Sequence, residues 1–152
     1  MRFVAPLLAV RDLKRARRFY ETVLEQTVDQ DFGTNLSFSG GFALQAGYAQ
    51  MVGLEPDSLR WQPHCAELYF EEEDLEGFVR RLEKLPEIRY VHKLKLHPWG
   101  QRAIRFYDPD GHIIEVGEPM EQVTRRMMAE GLSPEQVAAQ TGLSLEEVLK
   151  SC

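Results

Sequence analysis

At 152 residues, with 43% hydrophobic and 28% charged side chains, the chain has the length of one compact domain with a sizeable core and the composition of an ordinary globular protein. Eighteen basic residues against 24 acidic ones leave a net charge of -6, which argues against a nonspecific nucleic-acid binder or a protein drawn to anionic membranes. No apolar run has the length of a membrane span, Met1-Arg2-Phe3 leads into a strand without a signal-peptide pattern, and Cys65 and Cys152 are too few for a disulfide framework. The expectation is a cytoplasmic protein with free thiols.

In chain order, Phe3 to Val10 is apolar apart from Pro6 and reads as a mostly buried strand, with Pro6 favouring an edge or a bulge. Asp12 can cap a helix whose apolar residues Ala16, Phe19, Tyr20, Val23 and Leu24 recur at three and four, with basic residues over the outer face. Residues 27–32, 35–39 and 42–47 follow as short strands separated by Gly33-Thr34 and Gly40-Gly41. Residues 48–63, with Gly53, Pro56 and Pro63, read as a loop or short-helix connection.

The pattern then recurs. Ala66 to Phe70 is a strand, Asp74 opens a helix with Leu75, Phe78, Val79 and Leu82 on one stripe, Pro86 ends it, and 90–96, 103–107 and 112–116 are three more strands. The helix starts Asp12-Leu13 and Asp74-Leu75 lie 62 positions apart, and that offset lays Ala5 over Glu67 and Leu8 over Phe70. An internal duplication is the economical explanation. The last strands register more loosely, through their glycine turns, which lays Ala43 over Glu115.

The second half ends in a hairpin. Asp108-Pro109-Asp110-Gly111 is a turn in which Pro presets one dihedral and Gly supplies the positive one. Strand alternation then points Ile114 and Val116 to one face, and Ile113, Glu115 and Gly117 to the other. Glu115 is thus a carboxylate in apolar company, while Glu67 shares a face with Tyr69. Each carboxylate reads either as functional or as held by an arginine, Arg102 or Arg105. If both faced one desolvated cavity, repulsion would raise the pKa of one. The stretch His97-Pro98-Trp99-Gly100-Gln101-Arg102 mixes an aromatic with polar donors, as a cavity rim does, and His97 lies within reach of a site.

From Pro119 onward the pattern is helical: Met120 to Met128 closing at Gly131, then helices opening at Ser133-Pro134-Glu135 and Ser144-Leu145-Glu146-Glu147. Residues 132–144 have the outline of a helix-turn-helix, but the stretch 145–151 offers one lysine against two glutamates, so no nucleic-acid contact is expected. The tail reads as a packing or dimer-contact hairpin in which Val137, Leu143, Val148 and Leu149 cover an apolar surface.

Val10-Arg11-Asp12-Leu13, Arg18-Phe19-Tyr20 and Leu24 in the first half, with Phe106 to Glu115 in the second, resemble the vicinal oxygen chelate superfamily of glyoxalases, bleomycin-resistance proteins and ring-cleaving dioxygenases. The resemblance covers residues 3–118. It implies an α+β fold of two βαβββ modules, 1–50 and 64–118, whose mixed sheets curl around a cavity, with residues 119–152 as a helical extension. It implies a metal site drawn from the first and last strand of each module, at Ala5, Ala43, Glu67 and Glu115. Alanine has no lone pair, so a divalent metal is weakened to Glu67 and Glu115 unless a histidine joins them.

Three readings stay open. One is a glyoxalase-type lyase or isomerase with Glu115 and Glu67 catalytic and Trp99 and Arg102 binding the small-molecule substrate. The second is a metal-free ligand-binding protein of the bleomycin-resistance type. The third is a regulatory or scaffold protein whose C-terminal hairpin takes a partner, so that truncation after Gly117 would leave ligand binding intact and abolish association. A homodimer without nucleic-acid or membrane partners is expected.

Overall fold

The computed structural model describes residues 1–62 and 64–151. The chain runs β1 (Leu7–Val10), α1 (Leu13–Thr22), β2 (Val28–Asp31), β3 (Asn35–Phe38), β4 (Ala43–Ala46) and α2 (Tyr48–Val52), then a 3-10 turn at Pro56–Ser58. It continues through β5 (Glu67–Glu71), α3 (Leu75–Leu82), β6 (Tyr90–Leu96), β7 (Arg102–Tyr107), β8 (Ile113–Gly117), α4 (Met120–Ala129), α5 (Pro134–Thr141) and α6 (Leu145–Lys150). Strand, helix and three strands therefore occur twice. The two sheets are four-stranded and mixed, ordered β1-β4-β3-β2 and β5-β8-β7-β6. In each, the first strand runs parallel beside the last, and the remaining pairs are antiparallel.

The register carries the duplication down to single residues. Tyr69 pairs with Glu115 in the second sheet and Leu7 with Ala43 in the first, and Leu7 and Tyr69 are the residues that the 62-position offset superposes. Ala43 is thus the counterpart of Glu115. Ala5 is different: it lies before β1, which is shorter than expected and begins only at Leu7. Pro6 accounts for this, since its carbonyl accepts from Ala43 N at 3.0 Å but its ring nitrogen has no hydrogen to donate.

The chain divides into two compact units, the first comprising Met1–Ala66 with Asp108–His112, the second Glu67–Tyr107 with Ile113 onward. In the first, Asp12 caps α1 through Arg15 N at 3.0 Å, and the buried stripe Ala16, Phe19 and Tyr20 faces the sheet. The Tyr20 ring lies 5.7 Å from Phe38 and 5.1 Å from Phe42, which stack on each other at 4.7 Å.

Asp108 is fully buried and fully satisfied. Its Oδ1 accepts from the backbone N–H of Asp110, Gly111 and His112 at 2.7–2.9 Å, and Oδ2 meets Tyr20 Oη at 2.9 Å and His112 Nδ1 at 2.8 Å. Burial, then the Asp108 charge, pushes Tyr20 well above its ordinary pKa. His112 is therefore part of a turn anchor.

In the second unit, α3 is capped by Asp74 and lays Leu75, Phe78 and Leu82 on the sheet face formed by Ile104, Phe106, Ile114 and Val116, all buried. The helix stops at Leu82, four residues before Pro86. The C-terminal helices α4–α6 belong to this unit and close around Val123, Met127, Val137 and Val148. Ser133 and Ser144 both form capping boxes. Val137 and Val148 are buried and Leu143 half-buried, as the pattern predicts, but Leu149 is 53% exposed. Cys65 is a free, exposed thiol; Cys152 and Pro63 lie outside the described residues. Among the described residues no helix is long and apolar enough to cross a membrane.

Candidate functional site

The face of the second sheet away from α3 carries a row of residues set by strand register. Tyr69 on β5 pairs with Glu115 on β8, Glu115 with Arg105 on β7, and Arg105 with His92 on β6. Glu67 stands two residues before Tyr69 and so shares this face. The two carboxylates predicted from the sequence do come together, and a cation lies between them.

Arg105 is the centre of the cluster. Its Nε donates to Glu67 Oε2 at 2.8 Å, and its Nη2 donates to Glu115 Oε2 and, at 3.4 Å, to Glu67 Oε1. Its Nη1 lies 3.2 Å from the Nε2 atoms of both His92 and His97. A guanidinium has no lone pair, so both imidazoles accept there and carry their proton on Nδ1. The Nδ1 of His92 accordingly donates to the carbonyl of Lys93 at 2.8 Å.

The environment separates the two acids. The Glu115 side chain is 6% exposed and that of Glu67 38%. Burial, reinforced by the Glu67 carboxylate, pushes the Glu115 pKa up to about 7, whereas the Arg105 hydrogen bond holds Glu67 below the usual carboxylate range. The two acids therefore titrate apart, Glu67 giving up its proton at lower pH and Glu115 near neutrality. Burial, then the charge of Arg105, lowers the pKa of His97.

His97 arrives on a tight loop between β6 and β7. Its N–H donates to Gln101 O at 2.8 Å, and its ring stacks on Trp99 at 4.3 Å with a 16° interplanar angle. Trp99 Nε1 donates to Gln101 Oε1 at 3.0 Å, and Gln101 Nε2 donates to Tyr69 Oη and to the carbonyl of Glu118, both at 2.8 Å. The Tyr69 hydroxyl in turn donates to Glu71 at 2.9 Å; burial, then Glu71, pushes its pKa up to about 12. Helix α4 braces the loop from behind: Arg126 Nη2 donates to Gly100 O at 2.6 Å.

Arg102, expected at the ligand beside Trp99, stands instead on the opposite face with Ile104 and Phe106. There its guanidinium binds Glu118, with Nη2 at 2.5 Å and Nε at 2.8 Å from Oε1, and also Glu76 of α3. The physical reason is parity: Arg102 and Arg105 are an odd number of residues apart on one strand and cannot share a face. His92 is one of the four histidines, with His64, His97 and His112, that could join the two glutamates, but the sequence pattern does not place it at the site; the irregular β6–β7 pairing does, whereas pairing outward from the Asp108-Gly111 turn already puts residue 105 opposite 115.

The metal that the fold family implies does not fit these residues. Both carboxylates and both imidazoles direct their lone pairs at Arg105, and among the described residues no group of three or more His, Cys, Asp or Glu side chains is placed to hold an ion.

Residues 3–121 match the family model described as a glyoxalase-like domain. Among solved structures, a protein of unknown function from Agrobacterium tumefaciens str. C58 is 38% identical with a TM-score of 0.68, covering 78% of this chain and 94% of that one. The fosfomycin resistance protein FosX from Mesorhizobium loti is 22% identical, TM-score 0.57, covering 83% and 97% of the two chains. A glyoxalase/bleomycin resistance protein/dioxygenase from Nocardioides is 21% identical, TM-score 0.57, covering 78% and 83%. The search among curated proteins gives no match. The duplicated βαβββ order, the residue-level register between its copies and the match over residues 3–121 together place the chain in the glyoxalase-like domain family of the vicinal oxygen chelate superfamily.

Proposed function

We propose that this chain binds a small molecule on the β5–β8 face without a metal, Glu67 receiving a donor or cationic group of the ligand and Glu115 standing beside it as the proton-carrying acid. The observation that carries this is Arg105, whose guanidinium already lies between the two acids and donates hydrogen bonds to both. Glu67 keeps an open edge toward solvent, the Tyr69 ring is exposed on the same face, and the stacked His97-Trp99 pair flanks Arg105. Carboxylate and exposed aromatic side by side suit an aromatic or cationic ligand. Homodimerisation is part of this reading, supported by the exposed Phe3, Val4 and Leu7.

The test is calorimetric titration of EDTA-treated protein with bleomycin and with the methylglyoxal–glutathione adduct. Binding without added ions is expected for one of them, weakened at least ~10-fold in Glu67→Gln, on the order of the ~1.5–3 kcal/mol of a charged hydrogen bond. Binding that appears only with a divalent ion, or that Glu67→Gln leaves unchanged, overturns it.

A second reading has its own observation. A carboxyl titrating at about 7 is present in both forms at neutral pH, which suits proton transfer in a lyase or isomerase. Deuterium wash-in from solvent to the adduct, abolished in Glu115→Gln, distinguishes turnover from binding.

A further inference from the structure

We infer that Arg105 is a resident cation at the centre of a divalent-metal donor set, and that it excludes metal from a site which Glu67, Glu115, His92 and His97 form once the guanidinium is gone. The inference goes beyond the proposed function, because it concerns what fills the centre of the cluster and holds whether or not any ligand approaches it.

Two carboxylates and two imidazoles are a donor set suited to zinc, cobalt or nickel. Here all four aim at one side chain: Glu67 Oε2 lies 2.8 Å from Nε, both histidine Nε2 atoms lie 3.2 Å from Nη1, and Glu115 Oε2 meets Nη2. The lone pairs that accept the guanidinium N–H groups are those a metal would take. The tautomers are already right. His92 donates Nδ1–H to the carbonyl of Lys93 at 2.8 Å, the outer contact that fixes Nε2 as the ligating atom in metal-bound histidines. His97 is held by its stack on Trp99 and by the backbone bond to Gln101.

Exclusion has two physical parts. The guanidinium props the donors about 3 Å from its own nitrogens, whereas a zinc ion draws all of its ligands to about 2.0–2.2 Å of a single point. Its charge also repels a second cation brought to the same place, across a short distance in a partly desolvated setting. Removing Arg105 relieves both, and leaves two carboxylates with no counter-ion. The four donors lie on β5, β6, β8 and the 97–101 loop, so the site needs nothing from Ala5 or Ala43.

Wild-type, Arg105→Ala and Arg105→Lys proteins, stripped with EDTA, are titrated with Co2+ and Zn2+, followed by the visible spectrum of cobalt and by calorimetry. The expected result is one equivalent of ion in Arg105→Ala, bound at least ~100-fold more tightly than by wild type or Arg105→Lys, with the cobalt band lost when Glu67→Gln or His97→Ala is added. Arg105→Asn, which is small yet still bonds a carboxylate, takes the same test if Arg105→Ala does not fold by circular dichroism. Wild-type protein taking one equivalent of ion that Glu67→Gln abolishes overturns the inference, as does a folded Arg105→Ala or Arg105→Asn that binds no more tightly than wild type.

Discussion

Glu115 and Glu67 sit against the same guanidinium and yet titrate in opposite directions. The difference is burial: Glu115 lies under the cluster and Glu67 at its edge. The consequence for stability has a definite sign. An unfolded glutamate gives up its proton near its ordinary 4.5, whereas folded Glu115 keeps it to about 7, so between those values the folded chain binds more protons. Its contribution is full below the unfolded pKa and lost as pH rises through about 7. Glu67 acts the other way, losing its contribution as pH falls through its lowered folded value. Thermal unfolding between about pH 5 and pH 8 should therefore show a melting temperature that falls on the order of 2–4 °C more in wild type than in Glu115→Gln, whose amide does not titrate. Parallel curves for the two proteins would contradict the raised pKa.

The loop from His97 to Gln101 joins the site to the C-terminal helices. Gly100 adopts φ +89°, a conformation that glycine accepts without penalty, and a Cβ built there would come 2.8 Å from Met127 Sδ on α4. Gly100→Ala thus meets backbone strain and a steric neighbour together, and is expected to cost about 2 kcal/mol in urea unfolding. Gly100→Ala/Met127→Ala should cost less than the sum of its single substitutions, because the truncated methionine no longer meets the new methyl. Strict additivity would show that the loop and α4 do not press on each other. The backbone of His97 moves with this loop, so Gly100→Ala should also weaken ligand binding on the β5–β8 face.

At the scale of the whole chain, the tail is part of the second unit's architecture. Val137 and Val148 are fully buried within the chain's own helical cluster, Arg126 and Gln140 donate to the carbonyls of Gly100 and Pro98, and Arg126 also pairs with Glu118 at 3.2 Å. Truncation after Pro119 should therefore speed amide exchange in residues 97–101 by ~10-fold or more and weaken binding, rather than abolish only association. Sedimentation of both forms separates the two effects: a truncated dimer with full ligand affinity would reduce the tail to a bystander.

Much of this was legible in the sequence because it depends on local chemistry with a fixed period. Capping aspartates, glycine turns and period-two alternation each act within a few residues, and they determine the duplicated βαβββ order, the amphipathic helices and the facing of Glu67 and Glu115. Counting outward from the Asp108-Gly111 turn would also have paired Arg105 with Glu115. Only the tertiary structure decided that one guanidinium answers both carboxylates, that His92 and His97 turn their Nε2 atoms toward it, and that Arg102 serves the other face. Those outcomes depend on which strands lie side by side and how deeply each side chain is desolvated, and such distances between sequence-remote atoms follow from packing rather than from any local pattern.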